Sequence, residues 1–246
     1  MWPNTGDPDI YKEIRQEVAP EVVVIAPVPV QDDVLITEPT PEPTPEPIDS
    51  GIRSPDREID FETLFKRNPD TLGWINVPGT IIDYPFVGSR DNTDYLLRDI
   101  GGNKSDFGTI FMDMGNSSDF SDRNIVIYGH NMNNGTMFAG LHKFSDIEFF
   151  DENREIKIYT PAGMRVYEIF AAYVTDDDNI LYQTDFSDDM VWESYVNKIF
   201  RNKDLSANLM QIQIGGDDQI VTLSTCVRGE GDRRYLVQGI LKRDGC

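Results

Sequence analysis

The chain has 246 residues, 39% hydrophobic and 11% aromatic, enough to build the core of one large domain or two small ones. A formal net charge of -21 repels phosphate backbones and argues against a nucleic-acid partner. No run of 18 apolar residues is present, and no secretory signal peptide is visible; VVVIAPVPV at 22–30 is short and broken by prolines.

In chain order, residues 1–57 read as a disordered stalk rich in Pro, Glu and Thr. Within TEPTPEPTPEP (37–47) proline recurs at every second residue from Pro39 to Pro47. Proline fixes φ and removes an amide donor, so the run favours polyproline II, extending about 34 Å at about 3.1 Å per residue. The stalk holds 12 acidic and 4 basic residues, and its self-repulsion favours extension. Residues 58–246 read as globular.

IDFETLFKRNPD places Phe61, Leu64 and Phe65 on one helical face, closed by Pro69. Strand-like runs follow at 73–77, 80–87, 108–113, 124–130, 155–160, 164–174, 219–226 and 234–243, separated by turn signals such as PGT, MNNG and TPAG. Between the last two pairs of strands lies a helix that Ser187 is placed to cap. Its apolar face is Trp192, Tyr195, Val196, Ile199 and Phe200. Many short strands with few helices predict a closed or nearly closed β-barrel.

Chemistry-bearing residues are scarce. Cys226 ends the run QIVTLSTC, and Cys246 is the last residue. The pair permits one disulfide, whereas a strand-end thiol beside a polar loop suits a nucleophile. Of two histidines, His130 ends NIVIYGH ahead of NMNNG, as a base or simply as a solvated strand end; His142, among Met137, Phe138 and Leu141, reads as structural. Seven residues, VRGEGDR, separate Cys226 from Arg234, which fits an antiparallel hairpin with these two roughly opposite each other. Strand alternation puts Arg234 and Gln238 on the side of Thr222, Ser224 and Cys226, and Arg233 in the core register. A bulge among the hairpin glycines would exchange the two arginines; a surface ion pair is the ordinary alternative for Arg234. No cluster of histidines and cysteines offers a metal site.

YGHNM (128–132), TLSTC (222–226) and RYLV (234–237) together resemble a sortase. DNTDYLL (91–97), GTIFMD (108–113), GTMFAGLHKF (135–144) and the helix at 187–202 resemble class B in particular. The resemblance implies a mainly β fold: an eight-stranded sortase barrel with an N-terminal helical segment and a long helix between strands six and seven. It implies a cofactor-free, metal-free cysteine transpeptidase with Cys226 as nucleophile, His130 as acid and base, and Arg234 as the arginine that holds substrate and stabilises the oxyanion. Asn92, Leu96, Tyr182, Ser224 and Thr225 match positions that line the peptide groove. The implied partners are surface proteins bearing a C-terminal sorting motif of five residues, with Pro second and Thr fourth, cut after Thr. The implied acceptor is a peptidoglycan-precursor amine or, for a pilin-polymerising enzyme, a pilin amine. The location would be the outer face of the cell membrane, through an anchor segment this sequence does not contain. Water in place of the amine would make a cysteine hydrolase of the same residues; a stalked surface binding module would need no reactive thiol.

Overall fold

In the computed structural model, which describes residues 9–19, 51–176, 185–202, 204 and 206–243, each of the eight strand-like runs contains a strand. These are β1 (Thr71–Asn76), β2 (Asp83–Gly88), β3 (Ile110–Met112), β4 (Asn124–Tyr128), β5 (Glu155–Thr160), β6 (Gly163–Asp176), β8 (Ile220–Val227) and β9 (Glu230–Leu241); a two-residue β7 (Asn208–Leu209) adds to the edge of β6. Hydrogen bonding runs β5-β1-β2-β3-β4-β8-β9-β6, and β6 returns to β5, so eight strands close into a barrel. Closure leaves no long edge to pair with another chain. Two pairs are parallel, β2 with β3 and β4 with β8.

Alternation divides the barrel wall into two faces. Ile125 and Ile127 of β4, Val221 and Leu223 of β8, and Tyr235 and Val237 of β9 belong to one large core with Trp74, Phe86 and Tyr167. The opposite face of β8 and β9, through Ile220, Leu236 and Ile240, belongs to a second core with Trp192, Val196 and Ile199 of α4 (Asp189–Phe200). This helix therefore covers the outside of the barrel. Its N-cap is Asp188, whose side chain accepts from the Met190 and Val191 amides. Ser187, the expected cap, lies one position early and hydrogen-bonds Asp185 instead.

The stalk expectation is corrected at both its ends. Residues Ile10–Val18 form a helix, α1, burying Tyr11, Ile14 and Val18 against the barrel. A second helix, α2 (Phe61–Arg67), is capped by Asp60, whose own amide donates to Val18 O at 2.9 Å. Arg15 of α1 and Arg57 both pair with Asp83 at the start of β2, and Asp83 also accepts from Trp74 Nε1 and Asn76 Nδ2. Arg53 exchanges backbone hydrogen bonds with Met164. The spacing 11, 14, 18 gives α1 an apolar stripe that only a packed surface can bury, and Asp83 gathers two arginines from segments far apart in sequence. The proline-rich run at 37–47 lies outside the described residues.

Docked helices and extended tails differ in their response to substitution. Ile14 is fully buried, so Ile14→Ala is expected to lower the unfolding free energy by about 2–5 kcal/mol. Exposed Met190→Ser should stay within about 0.5 kcal/mol of the parent. Denaturant midpoints measure both; an unchanged midpoint for Ile14→Ala would return the segment to a tail.

Candidate active site

Three neighbouring strands bring His130, Cys226 and Arg234 to one rim of the barrel. In the parallel β4–β8 pair, Tyr128 is opposite Ser224. The pairing continues past the end of β4, with Gly129 N donating to Ser224 O at 3.2 Å and Thr225 Oγ1 donating to Gly129 O at 2.7 Å. Position 130 thus reaches the level of position 226. On the other side of β8, Cys226 is directly opposite Arg234 of β9. The bulge anticipated in this hairpin is present, but it lies between the Cys226 and Val227 rungs and leaves the Cys226–Arg234 rung intact. Adjacent strands are about 4.8 Å apart, so the backbones of the three residues stand at one level on neighbouring strands. All three residues are half-buried, and Cys226 carries a free thiol.

The imidazole of His130 is held by loop backbone. Its Nε2 is 2.7 Å from Leu96 O. A carbonyl only accepts, so Nε2 carries a hydrogen and Nδ1 is left for proton exchange. The ring packs against Gly108, where an added Cβ would come within 3.0 Å of His130 Cδ2 and 2.8 Å of the Leu96 carbonyl oxygen. Gly108 also has φ +59, a conformation that side chains disfavour.

Arg233 forms an exposed ion pair with Glu230 at 3.0 Å. The core register expected for it from alternation is not buried here, although position 233 still pairs with Asp176 of β6. Arg234 remains on the Cys226 side, as alternation predicts, half-buried, with Nη1 3.3 Å from Arg233 O.

The second histidine is structural. His142 stacks on Tyr235 with ring centroids 4.7 Å apart. Asn131 Nδ2 is 2.9 Å from both His142 Nε2 and Cys226 O. With two hydrogens it serves both, which suits a neutral ring whose own hydrogen is on Nδ1. Asn131 thereby pins the backbone of Cys226 to the loop that follows His130. Asn131 stands beside His130 in YGHNM, but nothing local in that motif signals a contact with Cys226, 95 residues on.

The expected groove residues have mixed placements. Leu96 contributes its carbonyl to His130. Ser224 is buried on the Cys226 face, two residues back along β8. Thr225 is buried and its hydroxyl is spent on Gly129 O, making it a clamp between β4 and β8. Asn92, at φ 57, uses both ends of its amide on the segment after β3, donating to Asp113 Oδ2 and accepting from Met114 N. Tyr182 lies outside the described residues.

Comparisons with known proteins show the family. The family model described as "Sortase domain" matches residues 75–242. Sortase B of Listeria monocytogenes is 36% identical over 184 residues, 74% of each chain. Among solved structures, Bacillus anthracis sortase B in complex with AAEK1 superposes with a TM-score of 0.68 at 35% identity, covering 78% of this chain and 88% of that one. A Staphylococcus aureus sortase B–substrate complex gives 0.67 at 30% identity, covering 75% and 85%.

Burial holds the His142 imidazole below its usual 6.5, and the charge of Arg228 acts in the same direction; in the charged ring, Nε2–H facing Cys226 O at 3.2 Å offsets part of this. The unfolded chain takes up this proton near pH 6.5 while the folded chain resists it. The stabilising contribution is therefore complete above pH 6.5 and is lost as pH falls through the lower folded value. The melting temperature of the parent should fall more steeply than that of His142→Gln as pH drops from about 7.5 to about 5. Parallel curves would contradict a buried neutral ring.

Proposed function

The chain belongs to class B of the sortase family, and we propose that it is a cysteine transpeptidase cleaving a C-terminal sorting motif between Thr and the next residue. His130 Nδ1 takes the proton of the Cys226 thiol, and the resulting thiolate attacks the Thr carbonyl carbon. Arg234 stands where it can stabilise the oxyanion that forms, with charge-assisted donors in a half-buried setting. The C–N bond breaks, His130 gives its proton to the leaving amine, and a thioester to Cys226 remains. An incoming amine attacks the thioester, His130 takes a proton from it, and the Cys226 sulfur leaves. The new amide joins the surface protein to its acceptor.

The observation that supports this reading is the shared level of His130, just past β4, with Cys226 on β8 and Arg234 on β9. The binding of His130 Nε2 to Leu96 O adds to it, since Nδ1 is then free for the proton transfers. The substrate is read as a surface-protein motif with Pro second and Thr fourth, and the acceptor as a peptidoglycan-precursor amine at the outer face of the cell membrane. Family likeness supports these details, including the solved substrate complex of the S. aureus relative.

A library of such motif peptides, incubated with and without an amine acceptor and read by mass spectrometry, tests the reaction. The parent should give cleaved product joined to the amine; hydrolysis alone, unaffected by the amine, would make the chain a hydrolase. Cys226→Ala should abolish turnover, and His130→Ala should lower it by about 10²–10⁴. Persistence of turnover in Cys226→Ala would remove the nucleophile assignment.

The two arginines separate cleanly. Arg234→Lys should lose turnover, because an ammonium does not reproduce a planar fork that grips two oxygens, and a lost oxyanion donor costs about 2.7–4 kcal/mol. Arg233→Lys keeps its charge opposite Glu230 and should be nearly silent. Full turnover by Arg234→Lys beside an inactive Arg233→Lys would overturn the register and the role together.

A further inference from the structure

The buried hydroxyl of Tyr11 on α1 reaches the loop that holds His130. It donates to Gly108 O at 2.5 Å and lies 3.2 Å from Thr109 Oγ1, whose own hydrogen goes to Arg98 O at 2.8 Å. Segments 95–98 and 104–109 are zipped into one unit: Thr109 N donates to Tyr95 O, Ser105 N donates to Leu97 O, and Arg98 bridges Lys104. One side of this unit carries Leu96 O and the Gly108 Cα surface, against which the His130 ring rests. Its other side carries Gly108 O, which Tyr11 holds. Tyr11 is itself fixed by an edge-on contact with Tyr84, with ring centroids 5.6 Å apart, and by the burial of Ile14 one turn on.

We propose that Tyr11 is a positioning residue for the active site: its hydroxyl, by holding Gly108 O, seats the 95–109 loop against the His130 imidazole and so fixes the ring for proton transfer. This rests on the reading of His130 as acid and base. A carbonyl oxygen in a buried setting requires its donor. Without the hydroxyl, Gly108 O would seek another partner and carry Leu96 O with it. Small misplacements of a catalytic group cost rate far more than affinity.

Tyr11→Phe keeps the ring and removes only the hydroxyl. For this variant kcat on the motif peptide is expected to fall about tenfold, with KM within about twofold. The His130 Nε2 hydrogen, followed by 15N-edited NMR, should exchange with water faster than in the parent. Val18→Ala serves as the control, since it loosens the far end of α1 while retaining the hydroxyl and the Ile14 packing beside it. It should lower the melting temperature at least as much and leave kcat and the exchange rate close to the parent. Unchanged kcat and exchange in Tyr11→Phe would overturn the proposal. So would an equal loss of kcat in Val18→Ala, which would reduce Tyr11 to a packing residue. The exchange measurement needs no substrate; if the parent itself failed to cleave motif peptides, the proposed reaction would fall while the exchange rates still decided the link from Tyr11 to His130.

Discussion

Five rungs between β4 and β8 set the geometry on which the site depends. Because the two strands run parallel, both leave the barrel at the same rim, and the residues just past their paired segments are brought level. A parallel pair has no tight turn to fix it. Residues 129–219, which include β5, β6 and α4, form the connection, so register must come from side chains. A slip of one residue would turn Cys226 and His130 to the wrong face. Antiparallel β9, joined to β8 by a short turn at Arg228 and Gly229, then adds Arg234 locally.

The register is held by a polar network beneath α4. Thr222 Oγ1 donates to Asn124 Oδ1 and accepts from Gln238 Nε2, both at 2.8 Å. Gln238 also donates to the Tyr195 hydroxyl at 2.9 Å, and Tyr173 donates to Gln238 Oε1 at 3.0 Å. The network takes one member each from β4, β8, β9, β6 and α4. Buried polar groups are costly unless every partner is in place, and only one alignment of these strands satisfies all of them. Burial also pushes the Tyr195 hydroxyl above its usual pKa and that of Tyr173 well above it, so they remain neutral members of the network. Thr222 and Gln238 lie four residues from Cys226 and Arg234 along the same face, so the network that chooses the register also aims the reacting groups.

Strands were legible in the sequence because alternation and turn residues are local signals. The Cys226–Arg234 pairing was legible for the same reason, since seven residues connect the two. Contacts between distant segments were not. Asn92 matched a groove position by motif, but its amide is consumed by Asp113 and Met114, on a different element. Thr225 reads as one more polar residue beside the cysteine until the neighbouring strand supplies Gly129 O. The helix α1 was hidden by its neighbourhood: the proline-rich run coloured the reading of all of residues 1–57, although Tyr11, Ile14 and Val18 already had helical spacing. Its order depends on Asp83, a single carboxylate whose arginine partners at 15 and 57 cannot be paired from spacing alone.

The site therefore draws on two kinds of constraint. Cys226 and Arg234 are aimed by strand register, a property of the barrel wall that cannot shift by small amounts. The orientation of His130 has a second source: its backbone follows β4, but its ring is set by Leu96 O and the Gly108 surface, which belong to a loop and are held from outside by α1. Register fixes the Cys226–Arg234 rung, which is what the proposed nucleophile and oxyanion donor would require. The asymmetry follows from where the polypeptide ends its pairing: β4 stops at Tyr128, two residues short of the histidine, while β8 continues through the cysteine to Val227.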